Sequence, residues 1–195
     1  LLFDFNSTHP SLSRYFNIQR INRTFAPTPF GFTLGEISEH SQFLTMAQAA
    51  RDFDHVVIDL GRTLPASKVV SGQRIQESLA RWSLDSADYL YLLARGDHHS
   101  ILNLKEKSEQ IQVATRPTSI NHVLISQSTI SNKERRSLLE STRNSLLGDS
   151  VLLTRDVRSL SKATIEAAPL AVVAPKSPLV REISQLYRTV MKGER

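Results

Sequence analysis

The segment from Asp54 to Gly61 places the strongest constraint on how this chain can fold. It reads D-H-V-V-I-D-L-G, so an uninterrupted apolar run ends in a carboxylate, Asp59, with a glycine two residues later. An apolar run without polar alternation is typical of a strand that is buried on both faces of a parallel sheet. Open α/β sheets bind their ligands at the carboxyl ends of such strands. The segment therefore predicts a parallel sheet with Asp59 at its ligand-binding edge, or, as the alternative, an Asp59 that only caps the following turn.

Strand-like and helix-like patterns alternate along the rest of the chain. The strand patterns cover residues 1–5, 55–60, 89–94, 122–126, 151–154 and 170–174. The helical patterns cover residues 33–52, 72–82, 100–111, 132–147, 158–168 and 178–191, with a short helix at 11–18 and a surface loop at 19–32. Strands separated by helices indicate right-handed βαβ crossovers. The pattern predicts a single domain over residues 1–195: a doubly wound, mostly parallel α/β sheet with helices on both faces.

Two helices carry clear start signals. Ser131 or Asn132 is in position to cap the helix that contains Glu134. Ser177 followed by Pro178 combines a capping residue with a proline at the first helical position, which favours a helix start there. Both signals support the helical segments at 132–147 and 178–191.

The composition restricts the chemistry that the chain can perform. It contains no cysteine, which excludes disulfides and thiolate metal sites and fits a reducing cytoplasm. No apolar run is long enough to span a bilayer, and no signal peptide is recognisable. A net charge of +5 permits contact with nucleic acid or anionic lipid, although the basic residues are scattered.

Short motifs at the strand ends occur in an order that resembles a known family. Residues 4–6 read D-F-N, residues 54–59 read D-H-V-V-I-D, residues 86–89 read S-A-D-Y, and residues 167–180 contain A-A-P-L and P-K-S-P-L. This series resembles the ParA/MinD superfamily of P-loop ATPases and, within it, the CpaE/TadZ branch. The resemblance covers nearly the whole chain and implies a P-loop NTPase-like, three-layer fold.

The resemblance also implies a function. Members of that superfamily use ATP and magnesium to form a sandwich dimer that positions chromosomes, plasmids, the division site or polar pili. The chain is therefore expected to form a cytoplasmic homodimer that acts on proteins of a septum, pilus or secretion apparatus. Two further partners stay open: non-specific DNA, through scattered basic residues, and the inner membrane surface, through the last helix.

Seven residues are candidates for site roles on the strength of this resemblance. Asp59 corresponds to the second Walker carboxylate near magnesium, and Asp4 heads the first switch region. The water-positioning place is taken by Asn6. The remaining nucleotide-binding candidates are Gly61, Ser126, Arg155 and Asp156, of which the last two are expected near the adenine.

Departures from the family pattern predict weak or absent hydrolysis. Relatives carry an Asp where this chain has Asn6, and an amide cannot take a proton from the attacking water. No Gly-x-x-x-x-Gly-Lys-Ser/Thr phosphate loop occurs in the chain. In relatives that loop precedes the position of Leu1, so we expect a truncated amino terminus from which a strand, the phosphate loop and a helix are missing. The alternative is a non-enzymatic scaffold that dimerises and docks partner proteins without nucleotide.

Overall fold

A computed structural model of the protein describes residues 1–5, 12–18, 25–36, 47–61, 75–114, 119–126, 131–146 and 149–191. The chain divides into two compact units, residues 1–83 and 84–195. Each unit contains one sheet, and nearly all strand pairs are parallel. The predicted fold class, a mostly parallel α/β structure, is confirmed.

The first unit is built on a four-stranded sheet with the order β2-β3-β1-β4. The strands are β1 (Leu2–Asp4), β2 (Phe25–Pro27), β3 (Thr33–Glu36) and β4 (Val57–Asp59). Strand β1 runs parallel to both β3 and β4, whereas β2 pairs antiparallel with β3. The helical segments are α1 (Leu12–Tyr15), a 3-10 turn (Ala50–Asp52) and the first part of α2 (Ile75–Ser86).

The core of this unit forms around Phe3. Its side chain is fully buried and stacks on Phe5 with the ring centroids 5.4 Å apart, while Leu79 of α2 packs against the same cluster. A Cβ atom at Gly35 would overlap the Phe3 ring, so only glycine lets β3 approach β1 this closely. The apolar residues of β1 thus determine which residue the neighbouring strand can carry.

The second unit is built on three parallel strands in the order β5-β6-β7. They are β5 (Leu90–Arg95), β6 (Ile120–Ile125) and β7 (Asp149–Leu153). The helices are α3 (His98–Ala114), α4 (Asn132–Ser145), α5 (Val157–Ile165), α6 (Leu170–Val173) and α7 (Pro178–Met191). Val123, Leu153 and Leu179 form a buried cluster that fixes α7 against the sheet.

Helix α4 begins with a complete capping box. The Ser131 hydroxyl accepts a hydrogen bond from the Glu134 amide at 3.2 Å, and the Glu134 carboxylate accepts one from the Ser131 amide at 2.8 Å. Two amide groups that lack a helical partner are satisfied in this way. Ser131 is therefore the cap, and Asn132 is the first helical residue.

Two predictions for the first unit are wrong. Residues 33–36 form strand β3 and not the start of a helix, because pairing with β1 determines their conformation. Residues 25–27, expected in a loop, form the edge strand β2, where a proline costs no ladder hydrogen bond. Residues 37–46, the middle of the predicted helix, lie outside the described residues.

A third prediction, a strand at residues 170–174, is also wrong. The segment forms the short helix α6, in which the Pro169 carbonyl accepts hydrogen bonds from the amides of Val172 and Val173. Val172 is 60% exposed, whereas a central strand of a parallel sheet would be covered on both faces. An apolar run of four residues does not by itself separate a strand from a helical turn.

Candidate functional site

Three acidic residues end three neighbouring parallel strands of the first unit. Asp4 at the end of β1 pairs in register with Glu36 of β3 on one side and with Asp59 of β4 on the other. Directly paired residues point their side chains to the same face of a sheet, so the three carboxylates share one edge. The structure thus brings together Asp4 and Asp59, both selected from the sequence, and adds Glu36.

Glu36 was missed because residues 33–36 were expected to be helical. The Thr-Leu-Gly-Glu run was the available signal, since a β-branched residue followed by a buried leucine is compatible with a short strand that ends in an acid. The run is too short for periodicity to identify it.

Asp59 has one oxygen engaged by the turn that follows β4. Its Oδ1 accepts a hydrogen bond from the Gly61 amide at 2.8 Å, and Gly61 has a φ of 62°, which favours glycine. The structure therefore shows the turn-capping role that was the alternative reading of Asp59. The side chain is half-buried, and no donor bonds to its Oδ2 within the described part of the chain. Capping the turn leaves this second oxygen for a ligand.

Asp4 is more deeply buried than Asp59 and also accepts a hydrogen bond from the backbone. The residue is 4% exposed, and its Oδ2 accepts a hydrogen bond from the Leu12 amide, the first residue of α1, at 2.9 Å. This bond connects the end of β1 to the start of α1 across the segment that carries Asn6. Asn6 itself lies outside the described residues.

A second set of candidate residues lies at the carboxyl ends of β6 and β7 in the second unit. Ser126 follows β6, is buried, and donates its amide to the Leu153 carbonyl at 2.9 Å. Thr154 follows β7, and both its amide and its hydroxyl bond to Glu182 of α7, at 2.6 and 2.9 Å. Ser126 and the β7–α5 loop are therefore held side by side.

Asp156 forms the N-cap of α5. Its Oδ1 accepts from the Ser159 amide at 3.1 Å, and its Oδ2 accepts from the Ser177 hydroxyl at 2.7 Å. Hydrogen bonds from Ser177 and then Ser159 lower the pKa of Asp156, so the carboxylate is ionised at neutral pH. The Ser177 hydroxyl, expected to cap α7, bonds instead to Asp156.

A shallow, open cleft of about 480 Å³ lies between the first turns of α5 and α7. Pro175 and Pro178 contribute apolar wall, and Arg158 and Lys176 contribute cations. These four residues are all exposed, so the lining is open to solvent. Asp156 lines the cleft, whereas Arg155 is exposed and lies outside this lining.

No protein-family model matches the chain, and no curated protein does. Several solved structures are similar to the chain, and two of them align with it over most of their length. The MinD cell division protein of Aquifex aeolicus aligns with a TM-score of 0.70 at 12% identity, over 98% of this chain and 83% of that one. A ParA family ATPase from Chlorobium tepidum TLS aligns with a TM-score of 0.55 at 13% identity, over 94% and 82%. The chain has the fold of MinD and ParA.

Magnesium and ATP make particular demands on the side chains that would bind them. No three His, Asp or Glu side chains are grouped to hold a metal ion within the described residues. Magnesium commonly needs only one or two carboxylates when phosphate oxygens and water complete its shell, so Asp59 fits that role. The roles of the sequence-predicted residues remain predictions.

The length and composition of the helices decide whether any of them could cross a membrane. Among the described helices, none is both long and apolar enough to cross a membrane.

Proposed function

We propose that this protein is a MinD/ParA-like positioning protein of the CpaE type, which binds ATP with magnesium and dimerises in response. The observation that carries the proposal is the register of Asp59 beside Asp4 at the carboxyl edge of β1 and β4. This edge is where an α/β sheet binds its ligand, and the chain shares its fold with a MinD protein and a ParA ATPase.

Each part of the candidate site has a separate task in this proposal. Asp59 would hold the water shell of a bound magnesium ion through Oδ2, while Oδ1 accepts the Gly61 amide and keeps the turn in place. Asp4 fixes the start of α1 through the Leu12 amide. Bound magnesium neutralises charge on the phosphates.

Hydrolysis is proposed to be slow or absent. The amide of Asn6 can orient a water molecule but cannot accept its proton. Replacing Asn6 by Asp should therefore raise ATP hydrolysis by roughly tenfold or more, since a positioned base contributes at least that much. An N6D variant that binds ATP yet hydrolyses it no faster would remove Asn6 from the site.

The second candidate function is a scaffold that dimerises and docks septum, pilus or secretion proteins without nucleotide. This function would apply if the full-length protein lacks a Gly-x-x-x-x-Gly-Lys-Ser/Thr loop, because that loop supplies most phosphate contacts in P-loop proteins.

Titration calorimetry of the full-length protein with ATP, in magnesium and in EDTA, distinguishes the two functions. We expect micromolar binding that needs magnesium, that D59N weakens roughly tenfold, and that D54N leaves unchanged, because Asp54 is an exposed carboxylate before the same strand. Light scattering should show a dimer only with nucleotide. No binding at millimolar ATP, with a dimer present throughout, would replace the switch by the scaffold.

A further inference from the structure

A serine in the middle of α3 bonds to a buried histidine of the sheet and not to its own helix. The hydroxyls of Ser83, Thr142 and Thr164 each donate to the carbonyl four residues earlier in their helices, at 2.8, 2.7 and 3.0 Å. The Ser108 hydroxyl is 3% exposed and lies 3.2 Å from Nε2 of His122. This bond connects the middle of α3 to β6, the central strand of the second unit.

The other side of the imidazole is also polar. His122 is fully buried and pairs in register with Ser150 of β7, so both side chains lie on the same face of the sheet. Although the Asp149 backbone favours the charged ring, neither His122 Nδ1 nor Ser150 Oγ has a hydrogen-bond partner within the described part of the chain. Such atoms cost free energy that contact with water would recover. Ser108, His122 and Ser150 thus form a buried polar cluster with spare hydrogen-bonding capacity.

The neighbouring strands place no charge on this face of the sheet beside His122. Its register partners are Leu92 of β5 and Ser150 of β7. The titratable groups next to those partners, Tyr91 and Asp149, lie one residue earlier and therefore point to the opposite face.

The helices on this part of the sheet do not supply a balancing acid within the described residues. Helix α3 packs on β5, and α4 packs on α3 and β7. Their partly buried cations are bonded elsewhere, Lys107 to the Gln110 side chain and Arg135 to the Leu152 carbonyl. Their acidic residues are all exposed: Glu106, Glu109, Glu134 and Glu140. A proton on His122 would stay in the interior without a counter-charge, and desolvation accordingly lowers the pKa of the ring.

We propose that the buried polar cluster is a pH-operated lock, in which neutral His122 holds α3 on the sheet and protonated His122 releases the helix as a local unit. A neutral ring has one nitrogen that accepts and one that donates, whereas a protonated ring has two donors and a charge that requires water. Water reaches the ring when α3 moves away, because the helix covers this face of the sheet. The inference does not depend on nucleotide binding.

Hydrogen exchange of the wild-type protein tests the lock without any variant. The protection of α3 amides is compared with that of α7 amides, after correction for the intrinsic effect of pH on exchange. Helix α7 is the internal control, because it packs on the opposite face through Val123. An open state in which His122 has its ordinary pKa of about 6.5 gains roughly tenfold in population between pH 7.5 and 5.5. We expect α3 protection to fall by that factor and α7 protection to stay constant.

Two variants assign the fall to the buried polar cluster. H122Q has no titratable ring, so its α3 protection should not change with pH. S108A removes the bond between α3 and the ring and should lower α3 protection roughly fivefold already at pH 7.5, the usual effect of losing one hydrogen bond. H99Q replaces an exposed histidine of the same helix and is the matched control, which should behave as wild type.

Each other outcome overturns the lock. Constant α3 protection in the wild type would show that protonation of His122 is not linked to the opening of α3. An equal fall in α3 and α7 would show that protonation opens the second unit as a whole. A tenfold fall that persists in H122Q would assign the pH dependence to another group. Normal α3 protection in S108A would show that its bond to His122 does not hold the helix.

Discussion

Gly35 determines how closely β3 can lie to the ring of Phe3. A methyl group there would meet an aromatic ring that is fully buried and packed against Phe5 and Phe25. We therefore expect G35A to lower the free energy of unfolding by about 1–3 kcal/mol, the usual cost of overpacking. Urea unfolding measures this change in free energy. G96A is the control, because the atom nearest to a Cβ at Gly96 is the movable end of the Leu138 side chain. Equal losses of unfolding free energy in G35A and G96A would mean that the Phe3 ring can move to make room for the methyl group.

His122 makes stability depend on pH. It is fully buried, with Nε2 3.2 Å from the Ser108 hydroxyl, and desolvation lowers its pKa more than the Asp149 backbone raises it. The unfolded chain then binds more protons than the folded one below about pH 6.5. Its contribution is present above that pH and is lost as the pH falls toward the folded pKa.

The comparison of H122Q with wild type isolates this contribution. Between pH 7.5 and 5.5, wild type should lose more unfolding free energy than H122Q, as measured by urea unfolding at each pH. H99Q replaces an exposed histidine of α3 and should follow wild type. Parallel pH profiles for H122Q and wild type would show that the pKa of His122 is the same in the folded and the unfolded chain.

At the scale of the element, the capping box is the clearest local interaction that stabilises α4. S131A leaves the Glu134 amide without its acceptor and should cost about 1 kcal/mol, as cap removal does elsewhere. S137A, in the exposed middle of the same helix, should be neutral or slightly stabilising, because alanine favours helix. Denaturant unfolding of both variants provides the comparison, and a neutral S131A would mean that water replaces the cap.

The same elements show which parts of the fold the sequence could predict. Helices α4 and α7 were predictable because each combines a start signal at Ser131 or Pro178 with more than ten residues of helical pattern. Strand β3 and helix α6 have four residues each, too few for periodicity to identify them. Pairing with β1 determines the first, and the hydrogen bonds to Pro169 determine the second.

At the scale of the whole molecule, motif order carried more information than any single motif. The order of strand ends predicted a fold that the structure shares with MinD and ParA at 12 and 13% identity. It could not reveal Glu36 beside Asp4 or the bond from Ser177 to Asp156. Those contacts join residues 21 or more positions apart, and only the folded chain brings them together.

Ligand binding should stabilise the whole molecule through mass action. ATP at a hundredfold excess over its dissociation constant adds about 2.7 kcal/mol to a protein that binds it only when folded. For a chain of this length the gain corresponds to a rise of roughly 5–10 °C in Tm. Scanning calorimetry should show the rise with Mg·ATP and not with ATP in EDTA, since Asp59 acts through the metal. D59N should lose most of the rise while D54N keeps it. An equal rise in EDTA would show that nucleotide binding does not depend on Asp59 or on the metal.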